Sequence, residues 1–200
     1  MQSIFPEWFL NKYNKIYSSV VEKIQPKVDK KKLFWDYILA PPPPDSEDGL
    51  MKIHDNNIVA LLTKFITSPR RSKSGSFFSR CFINEEEHVF CFFDDEKNIK
   101  VGEDYFVIAK DLGQRMFMDR IIRRIRAIHI ISKNEIEQLT NELLDKLKNI
   151  ALDMKSQNKE EMTKDEFISL LRERIGITDV TNFALLKTVV LVDGEKVRFL

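Results

Sequence analysis

The residues of this 200-residue chain best suited to chemistry are cations set beside aromatic rings. Arg70, Arg71 and Lys73 are carried on the turn-forming stretch Ser68-Pro69-Arg70-Arg71-Ser72-Lys73-Ser74-Gly75, and Phe77, Phe78 and Arg80 follow directly. Cations neutralise phosphates and flat rings stack on bases, each stacked base contributing about 1–3 kcal/mol; together they are the two ingredients of single-strand nucleic-acid binding. A solvated hairpin loop beside core phenylalanines would draw on the same residue types. Strand alternation sends Phe77 and Phe78 to opposite faces, so at least one of the two rings belongs to the core.

Other constellations offer less chemistry. Glu85-Glu86-Glu87-His88 and Asp94-Asp95-Glu96 fall where turns are expected and match no metal-ligand spacing. His54 and His129 have no base or nucleophile near them in sequence, so no catalytic residue, metal ligand or cofactor is expected. The two cysteines, Cys81 and Cys91, face each other if the turn between their strands is centred on Glu86. In a reducing compartment such a pair is two small buried hydrophobes rather than a redox or zinc site.

These residues need a scaffold, and the pattern around them predicts a small barrel between residues 57 and 131. Residues 58–67, 76–83, 88–93 and 105–110 are short runs rich in β-branched and aromatic side chains, separated by turn clusters. Gly102, in Val101-Gly102-Glu103-Asp104, marks a turn into the fourth strand. The fifth run, 118–131, is ambiguous: Ile121, Ile122, Ile125 and Ile128 also recur at helical spacing, with arginines between them. Isoleucine density and a turn at Leu112-Gly113-Gln114 favour a strand. As a helix, 115–131 would be basic and amphipathic, suited to an anionic membrane or a calmodulin-like partner.

Bulk composition sets the frame. A chain 43% hydrophobic and 32% charged is expected to be globular, burying roughly 70% of its unfolded surface. Its net charge of +1 names no partner, so any nucleic-acid or lipid affinity has to come from a local patch. Neither a membrane span nor a secretory leader is expected.

Flanking the barrel, Pro6 opens a predicted helix with Phe9, Leu10, Tyr13, Ile16, Tyr17, Val20, Val21 and Ile24 on one face, and Pro26 blocks its continuation. The apolar cluster 33–39 reads as helix or strand. Pro41, Pro42, Pro43 and Pro44, with the polar turn residues 45–49, form a stiff spacer. Beyond the fifth strand Asn134 is expected to cap a helix whose Ile136, Leu139, Leu143, Leu144, Leu147, Ile150 and Met154 make a narrow seam. A partner helix or the chain's own core would cover it. Past the polar break 155–159, Thr163-x-x-Glu166 is a capping box for a helix with Phe167, Leu170, Leu171 and Ile175 inward. A shorter helix near 181–187 and a hairpin turning at Asp193-Gly194 follow. Helix, helix, hairpin is the ending of a winged helix, one lacking its first helix unless the 134–154 helix serves as it. Three segments result: a helical extension with the proline linker over 1–49, the barrel with its C-terminal helix over 50–155, and a helical and hairpin tail over 156–200.

Over residues 52–148 the chain resembles the middle subunit of replication protein A and its telomeric counterpart, the Stn subunit of the CST complex. The resemblance is carried by Val101-Gly102-Glu103-Asp104-Tyr105-Phe106-Val107-Ile108-Ala109-Lys110, then Ile122-Arg123-Arg124-Ile125-Arg126-Ala127-Ile128 and Asn134-Glu135. In that family a glycine–acid turn enters the fourth strand, a lysine leaves it, and a basic fifth strand runs into an Asn-Glu helix start. The opening Ile4-Phe5-Pro6-Glu7-Trp8-Phe9-Leu10 is more similar to the Stn branch. The resemblance implies a mainly β fold built on a five-stranded OB-fold barrel, without enzymatic activity. It implies pairing through Ile136, Leu139, Leu143, Leu144, Leu147 and Ile150 with a small, Ten-like OB-fold subunit, alongside a larger CST subunit. Binding of single-stranded G-rich telomeric DNA would use Arg70, Arg71, Lys73, Phe77 or Phe78, Arg80 and Arg115. The setting implied is the nucleus, with recruitment of DNA polymerase alpha–primase for C-strand synthesis. The rival readings are a general replication protein A subunit, a membrane-binding protein and an adaptor that touches no nucleic acid.

Overall fold

The computed structural model describes residues 28–42, 51–53, 57–83, 87–94 and 98–200, together with Trp8, Phe9 and Lys12. Trp8, Phe9 and Lys12 are helical, and the rest of the expected helix from Pro6 to Ile24 lies outside the described residues, as does most of the spacer, 43–49.

Runs of β-branched and aromatic residues build a seven-stranded sheet, here labelled in chain order: β1 (Met51–Ile53), β2 (Ile58–Lys64), β3 (Arg70–Arg71), β4 (Phe77–Ile83), β5 (Glu87–Phe93), β6 (Asp104–Phe117) and β7 (Arg120–Ile131). Across the sheet the order is β1-β2-β6-β7-β5-β4-β3, antiparallel except where β5 lies parallel to β7. The sheet curves until β2 and β4 meet: Phe65 bridges Cys81, and the Ile66 N–H donates to the Arg80 carbonyl at 2.8 Å. The ambiguous fifth run is a strand, so the basic amphipathic helix over 115–131 does not form.

Alternation assigns the two sheet faces to two cores. The concave side gathers Val59, Leu61, Phe65, Cys81, Val89, Cys91, Phe93, Tyr105, Val107 and Ile125. The other side of β2, β6 and the end of β7 presents Ile58, Ala60, Phe106, Ile108 and Ile131 to the helices. Those helices are α1 (Lys30–Leu39), capped by Asp29, and α2 (Lys133–Ser156). The 33–39 cluster is therefore helical.

Residues 161–200 form β8 (Glu161–Thr163), α3 (Lys164–Ile175), a single 3-10 turn (Phe183–Leu186), β9 (Val190–Asp193) and β10 (Lys196–Phe199), the strands ordered β8-β10-β9. The Thr163–Glu166 capping box is present as predicted. Phe167, Leu171, Val197 and Phe199 join the same core as α1, α2 and the sheet. One apolar core thus spans all three expected segments.

Four local expectations are corrected. β6 does not end at Lys110; Leu112-Gly113-Gln114 continues it through an irregularity between Asp111 and Gly113, where Gly113 takes φ 81°. A bulge and a turn share the same glycine signal, and pairing with the long β7 decides for the bulge. The hairpin turns instead at Met118-Asp119, both at positive φ (46° and 60°). Cys81 pairs with Val89 and Cys91 with Ser79, so the thiols are diagonal rather than directly opposed; the β4–β5 turn is centred one residue earlier than predicted. Ser132, not Asn134, caps α2, accepting from the Glu135 N–H. The last hairpin turns at Gly194-Glu195 with Gly194 at φ 57°, one residue later than predicted.

Candidate functional site

On the convex side of the sheet, away from the helices, β4, β5, β7 and β6 carry side chains that belong to neither core. Register places them in rows. Phe78 pairs with Phe92, Phe92 with Arg126, and Arg126 with Lys110; one step along, Arg80 pairs with Phe90 and Phe90 with Arg124. Rings therefore gather in the β4–β5 half, with Arg80 among them, and cations hold the β7–β6 half, because each strand contributes every second residue to this face.

The rings touch one another. Phe78 lies 6.0 Å from Phe90 and 5.9 Å from Phe92 between centroids, and Phe117 at the end of β6 meets Phe90 edge-on at 5.9 Å. The Arg80 guanidinium sits 5.8 Å from the Phe90 ring centre, a cation–π distance. Phe78, Phe90 and Phe92 are half-buried, which fixes their rings while leaving part of each accessible.

Two clefts flank this surface. One, of about 380 Å³, is lined by Ser74, Ser76, Phe92, Lys110, Asp111, Leu112, Arg124 and Arg126. The other, of about 350 Å³, is more apolar and lies between Arg80, Phe90, Phe117, Met118, Arg120 and Ile122. Arg126 donates to Asp94 at 2.9 Å and Arg124 to the Leu112 carbonyl at 3.4 Å. Their Nε–H groups are buried without a hydrogen-bond partner among the described residues. A buried donor on a cation that lacks an acceptor favours an anionic ligand. Beneath the face, Arg123 is buried and paired with Asp111 at 3.0 Å, so it supports the strands rather than presenting charge.

The residues expected from sequence divide on this geometry. Phe78 and Arg80 stand in the rows. Arg70 and Arg71 are exposed on β3; Arg70 pairs with Phe78 and edges the platform, Arg71 pairs with the inward Phe77 and lies on the other side of the edge strand, and Lys73 is exposed at the loop tip. Phe77 turns inward onto Phe93, with 6.4 Å between centroids and planes 11° apart. Of the alternatives Phe77 or Phe78, the outer ring is Phe78. Arg115 is exposed farther out on the β6–β7 hairpin, opposite Ile122. Phe90, Phe92, Lys110, Arg120, Arg124 and Arg126 were missed, although the parity of His88-Val89-Phe90-Cys91-Phe92-Phe93 already separates apolar core positions from a second ring set.

The partner seam has a different fate. Leu139, Leu143, Leu147 and Ile150 are 4%, 0%, 2% and 7% exposed, and Ile136 and Leu144 pack against the same core. α1 lies over them: the Trp35 Nε1–H donates to the Leu139 carbonyl at 2.9 Å, Lys30 pairs with Glu135, and Lys31 pairs with Glu142 at 3.0 Å. Of the two coverings weighed from sequence, the chain's own core is the one found, because α1 and the tail together supply the apolar surface that the seven-stranded sheet alone lacks.

The thiols are equally internal. Burial pushes Cys81 up to about 12 and Cys91 well above the ordinary thiol range, which disfavours thiolate chemistry. Compared with models of known protein families and with curated proteins, the chain has no match.

Proposed function

We propose that this protein binds single-stranded nucleic acid across the convex face of a five-stranded OB-fold barrel. The observation that carries the reading is the row pair Phe78–Phe92–Arg126–Lys110 and Arg80–Phe90–Arg124, which sets stacking rings beside phosphate-binding cations one strand apart. The barrel reading is supported by the pairing of β2, β6, β7, β5 and β4, with the parallel β5–β7 step and the Phe65–Cys81 bridge drawing the two outer long strands together. The order β8-β10-β9 around α3 supports a winged-helix fragment in which the end of α2 serves as first helix.

On the resemblance to Stn subunits, the ligand is single-stranded G-rich telomeric DNA and the role is non-enzymatic: support of C-strand synthesis in the nucleus with a small Ten-like subunit, a larger CST subunit and DNA polymerase alpha–primase. Because the α2 seam is committed to the chain's own core, pairing uses another surface. Fluorescence anisotropy with labelled single strands tests the reading. Binding that weakens steeply with salt is expected, and tighter binding of G-rich than mixed-sequence strands separates the telomeric role from a general replication role. Absence of binding at low salt, with or without a small OB-fold partner, would leave the adaptor reading.

A further inference from the structure

Of the seven prolines in the chain, only Pro69 follows a hydroxyl residue, and the segment Ser68-Pro69-Arg70-Arg71 places cations two and three residues after that serine. Ser68 is exposed and lies in irregular backbone between the Phe65 bridge and β3. The preceding residue is clamped to β4: the Arg80 N–H donates to Thr67 Oγ1 at 3.0 Å, and Ser79 Oγ donates to the Thr67 carbonyl. Downstream, the two-residue ladder Arg70–Phe78 and Arg71–Phe77, closed by the Ser72 N–H donating to the Ser76 carbonyl at 2.7 Å, ties the segment to β4, and so short an edge ladder opens at little cost. Ser68 thus stands out from the sheet with an extended, proline-fixed residue after it.

We infer that Ser68 is a phosphorylation site for a proline-directed serine kinase that also reads a base at the third position, and that its phosphate lowers the affinity of the neighbouring platform for single strands. The regulatory half rests on the proposed function. In the step, Ser68 Oγ attacks the γ-phosphorus of ATP, the bond from that phosphorus to the β,γ-bridging oxygen breaks with its electron pair leaving on ADP, and the hydroxyl proton passes to the kinase's carboxylate base. The product carries about −1.5 to −2 charge beside Arg70 and Arg71, enough to offset roughly two cations. Arg70 lies opposite Phe78, so the charge appears at the ring edge of the platform.

The experiment treats the full chain with a purified cyclin-dependent kinase and MgATP, then reads site occupancy by mass spectrometry and DNA affinity by anisotropy over a salt series. Near-stoichiometric phosphate on Ser68 is expected, absent in Ser68→Ala and sharply reduced in Pro69→Ala. Loss of two phosphate contacts flattens the salt slope by about 1.4 and weakens binding roughly 25-fold at about 0.1 M salt. Unmodified Ser68→Ala binds as the parent does. Phosphate uptake that Ser68→Ala does not remove overturns the site. Full occupancy with unchanged affinity overturns the regulation. A chain phosphorylated on Ser68 that binds DNA in neither form sinks the proposed function and the regulation with it, while the site stands.

Discussion

Phe92 and Phe93 are neighbours on β5 that face opposite ways, and truncating each to alanine should damage a different property. Phe93 is 2% exposed and stacked on Phe77 inside the concave core. Removing its ring leaves a cavity that partial relaxation cannot fill, at a cost of about 3–5 kcal/mol of stability. Phe92 belongs to neither core and is half-buried, so Phe92→Ala should cost about 1 kcal/mol of packing. It also deletes a stacking surface worth about 1–3 kcal/mol, which corresponds to roughly five- to 150-fold weaker binding. Phe92→Trp, which keeps a flat ring, should retain affinity. Urea denaturation followed by circular dichroism reads the first property, and anisotropy on the folded fraction reads the second. A folded Phe92→Ala that binds within about twofold of the parent would refute the stacking role of this face, and a neutral Phe93→Ala would refute the assignment of faces.

Replacing Arg124 and Arg126 together by glutamine should flatten the salt dependence of binding by about 1.4 in slope, read from the same anisotropy series. Met118 and Asp119 adopt backbone angles that glycine and asparagine tolerate better, so Met118→Asn with Asp119→Gly should raise the unfolding midpoint by the equivalent of about 1–2 kcal/mol in a denaturant melt. Leu143→Asp buries an unpaired charge at a fully buried position and should unfold the chain by circular dichroism; a folded variant that merely loses a partner would return the α2 seam to intermolecular use. The Cys81 thiol ionises near 9.0 when unfolded and near 12 when folded, so the stability contributed by its proton is complete below pH 9 and lost as pH rises through that window. Denaturation midpoints from pH 8 to 11 should therefore fall with a slope that Cys81→Ala reduces.

Much of the scaffold was legible because alternation and composition are local signals. The long strands of the seven-stranded sheet, α2 and the Thr163–Glu166 box are all written in short windows. Their exact ends were not, since Gly113 sends the same signal for a bulge as for a turn, and only the length of β7 opposite decides. The Cys81–Cys91 register failed by two positions because the acidic turn between β4 and β5 contains no residue that fixes its centre. The candidate site was half visible. The loop cations and Phe78 stood out by clustering in sequence, whereas Phe92, Arg126 and Lys110 are scattered along the chain and become neighbours only through the β5–β7 and β6–β7 pairings. The fate of the α2 seam was undecidable from its own periodicity, because an intermolecular and an intramolecular cover demand the same stripe of leucines.

The rings and cations stand on the convex side of the sheet, while the concave side is packed with its own core. A polymer laid on such a surface is captured sideways and needs no free end to thread. Linear and covalently circular single strands of equal composition should therefore associate at similar rates, and an internal gap in a duplex should be as accessible as a terminal overhang. On the proposed function, such a face would serve a strand as a rail and not a ring.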